Sequence, residues 1–209
     1  WPRDLGARRD MGPIDIGQDL AVPADVEVTD NVTWWASLFA LAADTTLYAS
    51  LLFGGLYLAV VAPGWDGAAP VVNWLPAIAL LSAFGASLLA HRARARNASG
   101  QSPLAFLVGA AGLSGITALL CILGMALLGD ATIHANLALR FALYLYCALH
   151  AAIAMLIALH AAWRWREGYV SPLRATDLRL SVLWTDYAAL ALLPAWALIV
   201  LLAMAGGPS

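Results

Sequence analysis

From Trp34 onward the chain consists almost entirely of long apolar runs separated by short polar stretches. Hydrophobic residues make up 62% of the sequence and charged residues only 11%, whereas soluble domains contain about one half and about one quarter. Since ~20 apolar residues in a helix cross the hydrocarbon core, each run is long enough for one span. The pattern predicts an all-α membrane protein, a bundle of five transmembrane helices at residues 34–62, 73–95, 104–128, 136–166 and 178–205.

The two ends of the chain lack this apolar character. Residues 1–33 mix Pro, Gly, Asp and Arg without a period, which predicts a linker or a segment lying on the surface, and residues 206–209 form a short tail. Asp30 or Thr33 is expected to cap the first helix. Because the chain opens on Trp1 and has no signal-peptide pattern, the sequence predicts a processed product or part of a longer polypeptide.

The arginines predict how the bundle is oriented. The sequence has no lysine, and ten of its eleven arginines fall in or beside the N-terminal segment, the second connection and the fourth connection. The positive-inside rule places this side in the cytoplasm, so the N-terminus is expected inside and the C-terminus in the periplasm of a bacterial inner membrane. The net charge of −2 gives no indication of nucleic-acid binding.

Asp44, His150 and Asp186 are ionisable residues that lie well inside the predicted spans, away from the helix ends. A charged side chain at membrane depth costs about 2.5–3.5 kcal/mol on insertion scales, so each needs a partner or a function. For Asp44, beside Thr45 and Thr46, two interpretations stay open: a proton-relay or lipid-contact residue, or an acid satisfied by the threonine hydroxyls and a neighbouring helix. His150 and Asp186 are the further candidates for buried proton-linked or lipid-linked groups.

Four residues near the helix ends are candidates for contact with lipid headgroups: Arg140, His91, Trp34 and Trp35. Asp130 is an alternative partner for Arg140. The sequence contains no phosphate-binding glycine loop, no Ser-His-Asp arrangement and no metal-ligand spacing. It therefore predicts neither a catalytic residue nor a metal site in this chain.

Small residues recur at four-residue spacing in the second, third and fourth helices. Such rows let helix backbones approach closely in lipid, so they predict tight packing of the bundle. Cys121 and Cys147 lie inside apolar runs and are expected to be small core residues.

The first helix, WWASLFALAADTTLYASLLFGGLYLA, resembles the helix of haem-copper oxidase subunit III that carries a membrane-buried acid. Asp44 matches the position of that acid, where many members have Glu. The second helix is similar to the next helix of the family through four residues: Asn73, Leu81, Ser82 and His91.

The later helices extend the resemblance to residues 34–205. In YLYCALHAAIAMLIALHAAWRW, His150 matches one family histidine, and Ile153 stands where a second is expected. In LWTDYAAL, Asp186 stands where histidine is common. The match depends mainly on the order and spacing of these helices.

The resemblance implies an accessory, non-redox subunit of a proton-pumping aerobic terminal oxidase of the cytochrome c type. It implies no cofactor in this chain, with haem and copper in partner subunits I and II. The implied roles are packing on subunit I, binding phospholipids and supporting proton uptake. Shorter members have five helices, and some are fused behind subunit I, which the Pro/Gly-rich start and the opening Trp1 would fit.

Three other functions agree with a five-helix bundle. A haem-binding cytochrome b module would use His91 and His160, both near the arginine-rich side, as axial ligands. A small transporter or channel subunit would need a polar path, but mainly alanine and leucine separate Asp44 from the cytoplasmic end. An assembly factor is the third alternative.

Overall fold

Five long helices form the chain in a computed structural model, which describes residues 14–15, 17–18, 20–22, 31–61, 74–132 and 134–205. Each helix is long and apolar enough to cross a membrane, so the helix content is that of a multi-pass membrane protein, as predicted. The predicted boundaries differ from the observed ones by three residues at most. The helices are α1 (Val32–Val61), α2 (Trp74–Ala98), α3 (Leu104–Leu127), α4 (Ala135–Arg166) and α5 (Thr176–Ala205).

A short antiparallel ladder precedes the helices, within the segment predicted to be a linker. Strands β1 (Ile14–Asp15) and β2 (Ala21–Val22) pair Ile14 with Val22 and Asp15 with Ala21. Between them Gly17 and Gln18 have positive φ angles of 88° and 58°, a conformation that glycine adopts without strain. The remaining residues of 1–33 that precede residue 31, and the tail 206–209, lie outside the described residues.

Asn31, rather than Asp30 or Thr33, caps α1. Its side-chain Oδ1 accepts a hydrogen bond from the Trp34 backbone N–H at 2.9 Å, which satisfies one of the free donors of the first turn. Thr33 lies inside the helix, and Asp30 lies outside the described residues. Asn31 also donates from Nδ2 to Thr176 Oγ1 at 2.9 Å, so the first turns of α1 and α5 are joined.

Glycines end α2 and α4. Gly100 (φ 73°) and Gly168 (φ 80°) occupy the left-handed conformation just beyond these helices. In each case the next backbone N–H reaches back to a carbonyl of the last turn, from Gln101 to Arg96 at 2.8 Å and from Tyr169 to Arg164 at 3.0 Å. These bonds close both helices and turn the chain towards the next one.

Helices α2 to α5 form a closed ring in which each helix packs against two others: α2 against α3 and α5, and α4 against α3 and α5. Alanines with 0–1% exposure fill much of the interior, including Ala86, Ala93 and Ala110. Because alanine carries only a methyl group, the helix axes approach closely, as the small-residue rows predict.

Helix α1 lies outside this ring, against α5 and to a smaller extent α4. Most of its large apolar side chains are exposed, as expected of a helix that faces lipid on one side. Tyr48 is an exception: it is buried, and its hydroxyl donates to the Ala191 carbonyl of α5. Pro194, three residues further along α5, has no N–H to donate to the Leu190 carbonyl, so Tyr48 contacts α5 beside a position where the helix lacks one backbone hydrogen bond.

One end of the bundle carries seven of the eight arginines in the described part of the chain. Here the connections after α2 and α4 meet, because Asn97 Nδ2 donates to Ser171 O at 2.9 Å. Arg164 Nε lies 3.0 Å from Asp177 Oδ2, joining the end of α4 to the start of α5. We call this the arginine-rich end.

Candidate functional site

Asp44 of α1 lies at the centre of a cluster of polar side chains contributed by three helices. Its Oδ2 accepts hydrogen bonds from the hydroxyls of Tyr146 on α4 and Tyr187 on α5. The same oxygen lies 3.0 Å from His150 Nε2 on α4. We refer to these four residues as the Asp44 cluster. The carboxylate that the sequence places inside a membrane span therefore has three partners from neighbouring helices.

Spacing along α4 places two of these partners on one face. Tyr146 and His150 are four residues apart, so their side chains project from neighbouring turns towards α1. Their rings lie 4.1 Å apart, and Tyr48 of α1 stacks on Tyr146 at 4.4 Å with an interplanar angle of 10°. His150 has only 5% of its side chain exposed and Asp44 has 26%. The cluster is thus closed towards the ring and partly open on the outer side of α1.

The contacts of His150 restrict which of its ring nitrogens carries a hydrogen. Its Nδ1 lies 2.8 Å from the Tyr146 carbonyl oxygen, which can only accept, so Nδ1 carries a hydrogen. A neutral ring of this tautomer has no hydrogen on Nε2. The contact of Nε2 with Asp44 Oδ2 then needs one further proton, held by the imidazolium or by the carboxylic acid. The contact is thus compatible with an imidazolium beside a carboxylate and with a neutral imidazole beside a carboxylic acid.

The two phenols give the cluster a choice of hydrogen-bond patterns. Tyr146 and Tyr187 each contact Asp44, and their hydroxyl oxygens also lie 2.6 Å apart. Each phenol has one hydrogen, so two hydrogens serve three contacts. Either both phenols donate to Asp44, or one donates to the other, which then donates to Asp44. A proton can be redistributed within this cluster with little movement of heavy atoms.

Asp186 forms a second polar group, between α5 and α2. Its Oδ2 lies 3.0 Å from His91 Nε2, and Ser87 donates to its Oδ1 at 2.5 Å. His91 is 52% exposed in its side chain and Asp186 33%, so this pair is more open than the Asp44 cluster. Asp186 precedes Tyr187 in the chain, and the adjacent residues face different helices of the bundle.

The threonines beside Asp44 bond mainly to their own helix. Thr45 Oγ1 donates to Leu41 O, and Thr46 Oγ1 donates to Ala43 O, both at 2.7 Å. Thr45 Oγ1 also lies 3.3 Å from the Tyr187 hydroxyl, at the edge of the Asp44 cluster. The partners of the acid come from α4 and α5.

The candidates for contact with lipid headgroups have different surroundings. The Arg179 guanidinium lies 4.2 Å above the Trp34 ring, whereas Trp35 is 48% exposed. Arg140 is buried inside the bundle and lies near Tyr144. His91 is exposed beside Asp186, at the arginine-rich end.

Sequence reasoning missed four residues of these sites. The sequence predicts no site role for any of them: Tyr146, Tyr187, Tyr48 and Ser87. The spacing of Tyr146 and His150 was the available signal, since a phenol and an imidazole on one helix face inside a membrane span call for a polar partner.

Neither a protein-family model, nor a curated protein, nor a solved structure matches the chain. The described residues contain no group of three or more His, Cys, Asp or Glu side chains placed to hold a metal ion. What the fold and the site define is a multi-pass membrane helix bundle with a cluster of one carboxyl group, one imidazole and two phenols between α1, α4 and α5.

Proposed function

We propose that this chain is an accessory, non-redox component of a proton-pumping respiratory terminal oxidase, equivalent to subunit III of the haem-copper oxidases. The observation that carries the proposal is the pairing of Asp44 with His150 at 3.0 Å. The resemblance picks out these two residues separately, one on the first helix and one on the fourth. The contact brings the two matched positions together across α1 and α4.

The proposed role is supported by the Asp44 cluster, whose carboxyl group, imidazole and phenols are the group types that can exchange a proton. The chain packs on subunit I, associates with subunit II in the same complex, binds phospholipids and supports proton uptake. Haem and copper belong to the partner subunits. In this proposal the arginine-rich end faces the cytoplasm of a bacterial inner membrane, in agreement with the positive-inside rule.

The first test of the proposal is copurification from native membranes. The full chain, tagged and extracted in a mild detergent, is expected to bring down haem-containing partners that consume oxygen. Absorption spectra and oxygen uptake measure this directly. Purification of the chain free of any haem-copper oxidase would refute the proposal.

The second test concerns the Asp44 cluster. Asp44→Asn removes the acid while keeping the side-chain volume, so the complex should turn over more slowly or inactivate sooner during turnover. Thr46→Val is the matched control, because Thr46 is exposed on the same helix and its side-chain hydroxyl bonds only to the Ala43 carbonyl among the contacts described. Equal turnover, pumping and lifetime in Asp44→Asn, Thr46→Val and the parent complex would count against a proton-linked role.

The haem-binding alternative needs His91 and His160 as a pair of ligands. His91 Nε2 instead contacts Asp186, and the His160 ring lies 5.8 Å from the Trp163 ring. The purified chain without partners is expected to have no Soret band. A Soret band that is lost in His91→Ala would favour the cytochrome b alternative.

A further inference from the structure

An open groove of about 550 Å³ runs beside the end of α2, where α3 begins. Among its lining residues three are basic and none is acidic. They are Leu88, His91, Arg92, Ala95, Arg96, Ser99 and Phe106. We call this the basic groove.

The basic groove continues an apolar row on the outer face of α2. Leu81, Phe84 and Leu88 are exposed and follow one another at helical spacing. At 1.5 Å per residue, Arg92 and Arg96 lie about 6 Å and about 12 Å closer to the arginine-rich end than Leu88. The groove is therefore apolar where it enters the bundle face and cationic near the helix end, which is the polarity of a lipid molecule standing in one leaflet.

Two arginines provide the fixed charge of the basic groove. His91 lies 3.0 Å from the Asp186 carboxylate, so this pair adds no net positive charge to the groove. Arg96 lies 5.5 Å above the Phe106 ring and donates from Nη1 to Gln101 Oε1 at 2.5 Å; both partners are uncharged, so its positive charge is not neutralised by them. Arg92 is exposed on the neighbouring turn.

A second groove at the same end has a different charge balance. It has a volume of about 630 Å³, and both Arg164 and Asp177 line it. These two residues form an ion pair at 3.0 Å, so the arginine charge there is balanced within the chain. The basic groove is thus the better site for an anionic molecule.

We propose that the basic groove binds an acidic phospholipid of the leaflet at the arginine-rich end. The phosphate lies between the guanidinium groups of Arg92 and Arg96, and an acyl chain follows Leu88, Phe84 and Leu81. Electrostatic attraction selects anionic over zwitterionic headgroups, and the apolar row selects a lipid over a soluble anion. This site is independent of the oxidase assignment, since it requires only that the chain spans a membrane.

The test measures lipids bound to the full purified chain by native mass spectrometry, with phosphatidylglycerol and phosphatidylcholine as probes. Arg92→Gln/Arg96→Gln should weaken phosphatidylglycerol binding about 25-fold, because each basic residue at an anionic surface contributes roughly a five-fold factor. Arg94→Gln is the matched control, since Arg94 is exposed on the same turns of α2 but does not line the groove. Arg92→Lys/Arg96→Lys keeps the charges and should retain most of the binding.

Three results would overturn the proposal. One is an equal loss in Arg94→Gln and in the double glutamine variant. Another is equal retention of the two phospholipids by the parent chain. The third is displacement of the lipid by inorganic phosphate or by the free glycerophosphoglycerol headgroup at similar concentration, which would identify a soluble-anion site. None of these readouts depends on copurification with an oxidase, so the two proposals can fail separately.

Discussion

Helix α1 and the ring α2–α5 have similar apolar character but are held in the structure by different forces. The ring is packed through alanines and glycines, with helix backbones close together. Helix α1 packs less extensively on its neighbours. Within residues 31–48 it is joined to the ring by polar contacts: Asn31 to Thr176, Trp34 to Arg179, Asp44 to the residues of its cluster, and Tyr48 to Ala191.

The difference shows how a peripheral helix is fixed in a membrane. Lipid tails are as apolar as leucine, so burying apolar surface does not drive helices together there. Close van der Waals packing can hold the ring, because its small residues bring backbones into contact. A helix whose larger side chains face lipid needs hydrogen bonds instead. The candidate functional site is therefore also the main attachment of α1.

The largest expected effect comes from adding a methyl group inside the ring. In Gly124→Ala the new Cβ would lie 2.6 Å from a ring carbon of Tyr144, and a packed tyrosine ring has little room to move. We expect a loss of about 2 kcal/mol in unfolding free energy. In Gly55→Ala the clash is with Leu198 Cδ2 at 2.4 Å, a flexible methyl group at the border with α1, so the loss should be smaller.

Stability in detergent, measured by titration with a denaturing detergent, compares these two variants. Gly112→Ala and Gly54→Ala serve as controls for the ring and for α1, because a Cβ at either position meets nothing within 4 Å. A larger loss in Gly55→Ala than in Gly124→Ala would mean that α1 is packed as rigidly as the ring, contrary to the comparison above.

The next effect concerns the Asp44 cluster as an attachment. Asp44→Leu removes a carboxyl group that has three hydrogen-bond contacts, so at about 0.6 kcal/mol for each hydrogen bond within a membrane the loss should be about 2 kcal/mol or slightly less. Hydrogen exchange should rise in α1 and stay unchanged in α2 and α3. If hydrogen exchange rises equally in all helices, the Asp44 cluster does not attach α1 independently of the ring. Thr46→Val, which leaves the cluster intact, is again the control.

A smaller effect is expected at the second attachment of α1. Tyr48→Phe deletes the hydroxyl that donates to Ala191 O, for a loss of about 0.6 kcal/mol. Exchange should increase around residue 48 and in the turn of α5 that contains Pro194. Tyr57→Phe, at an exposed tyrosine of the same helix, should change neither. Identical hydrogen exchange in the two variants would show that the Tyr48 hydroxyl does not help to attach α1 to α5.

The smallest effect is expected in the loop that connects α3 to α4. Hydrogen bonds from the Thr132 hydroxyl and backbone N–H hold the pKa of Asp130 below its ordinary value. Thr132→Val removes the hydroxyl donor, so the pKa of Asp130 should rise while the helix bundle keeps its stability. A carboxyl-carbon NMR titration measures this shift, and an unchanged pKa would show that the turn does not depend on the side-chain bond.

The helices could be predicted from the sequence because each span follows from the length of one apolar run. Helix α1 could not be placed outside the ring in the same way. Its 30 residues have the apolar character of the other spans, and hydropathy does not report which faces meet. The start of α1 was misassigned for a related reason: Asp30, Asn31 and Thr33 are all good caps, and the contact of Asn31 with Thr176 is a property of the folded chain.

The members of the site could be predicted singly but not as pairs. Asp44, His150 and Asp186 stand out because ionisable groups are costly at membrane depth. Which histidine meets which acid depends on the rotation of each helix about its axis, and that rotation is set by packing across the ring. The sequence therefore did not distinguish a His150–Asp44 pair from a His150–Asp186 pair.

The position of Asn31 affects how a mechanical load enters the protein. Asn31 caps the start of α1 and also donates a hydrogen bond to Thr176 in the first turn of α5. Tension applied through the preceding segment therefore acts on two helices at once. A force applied to that segment would be transmitted to α5, and through α5 to the ring, before α1 could separate from the bundle alone.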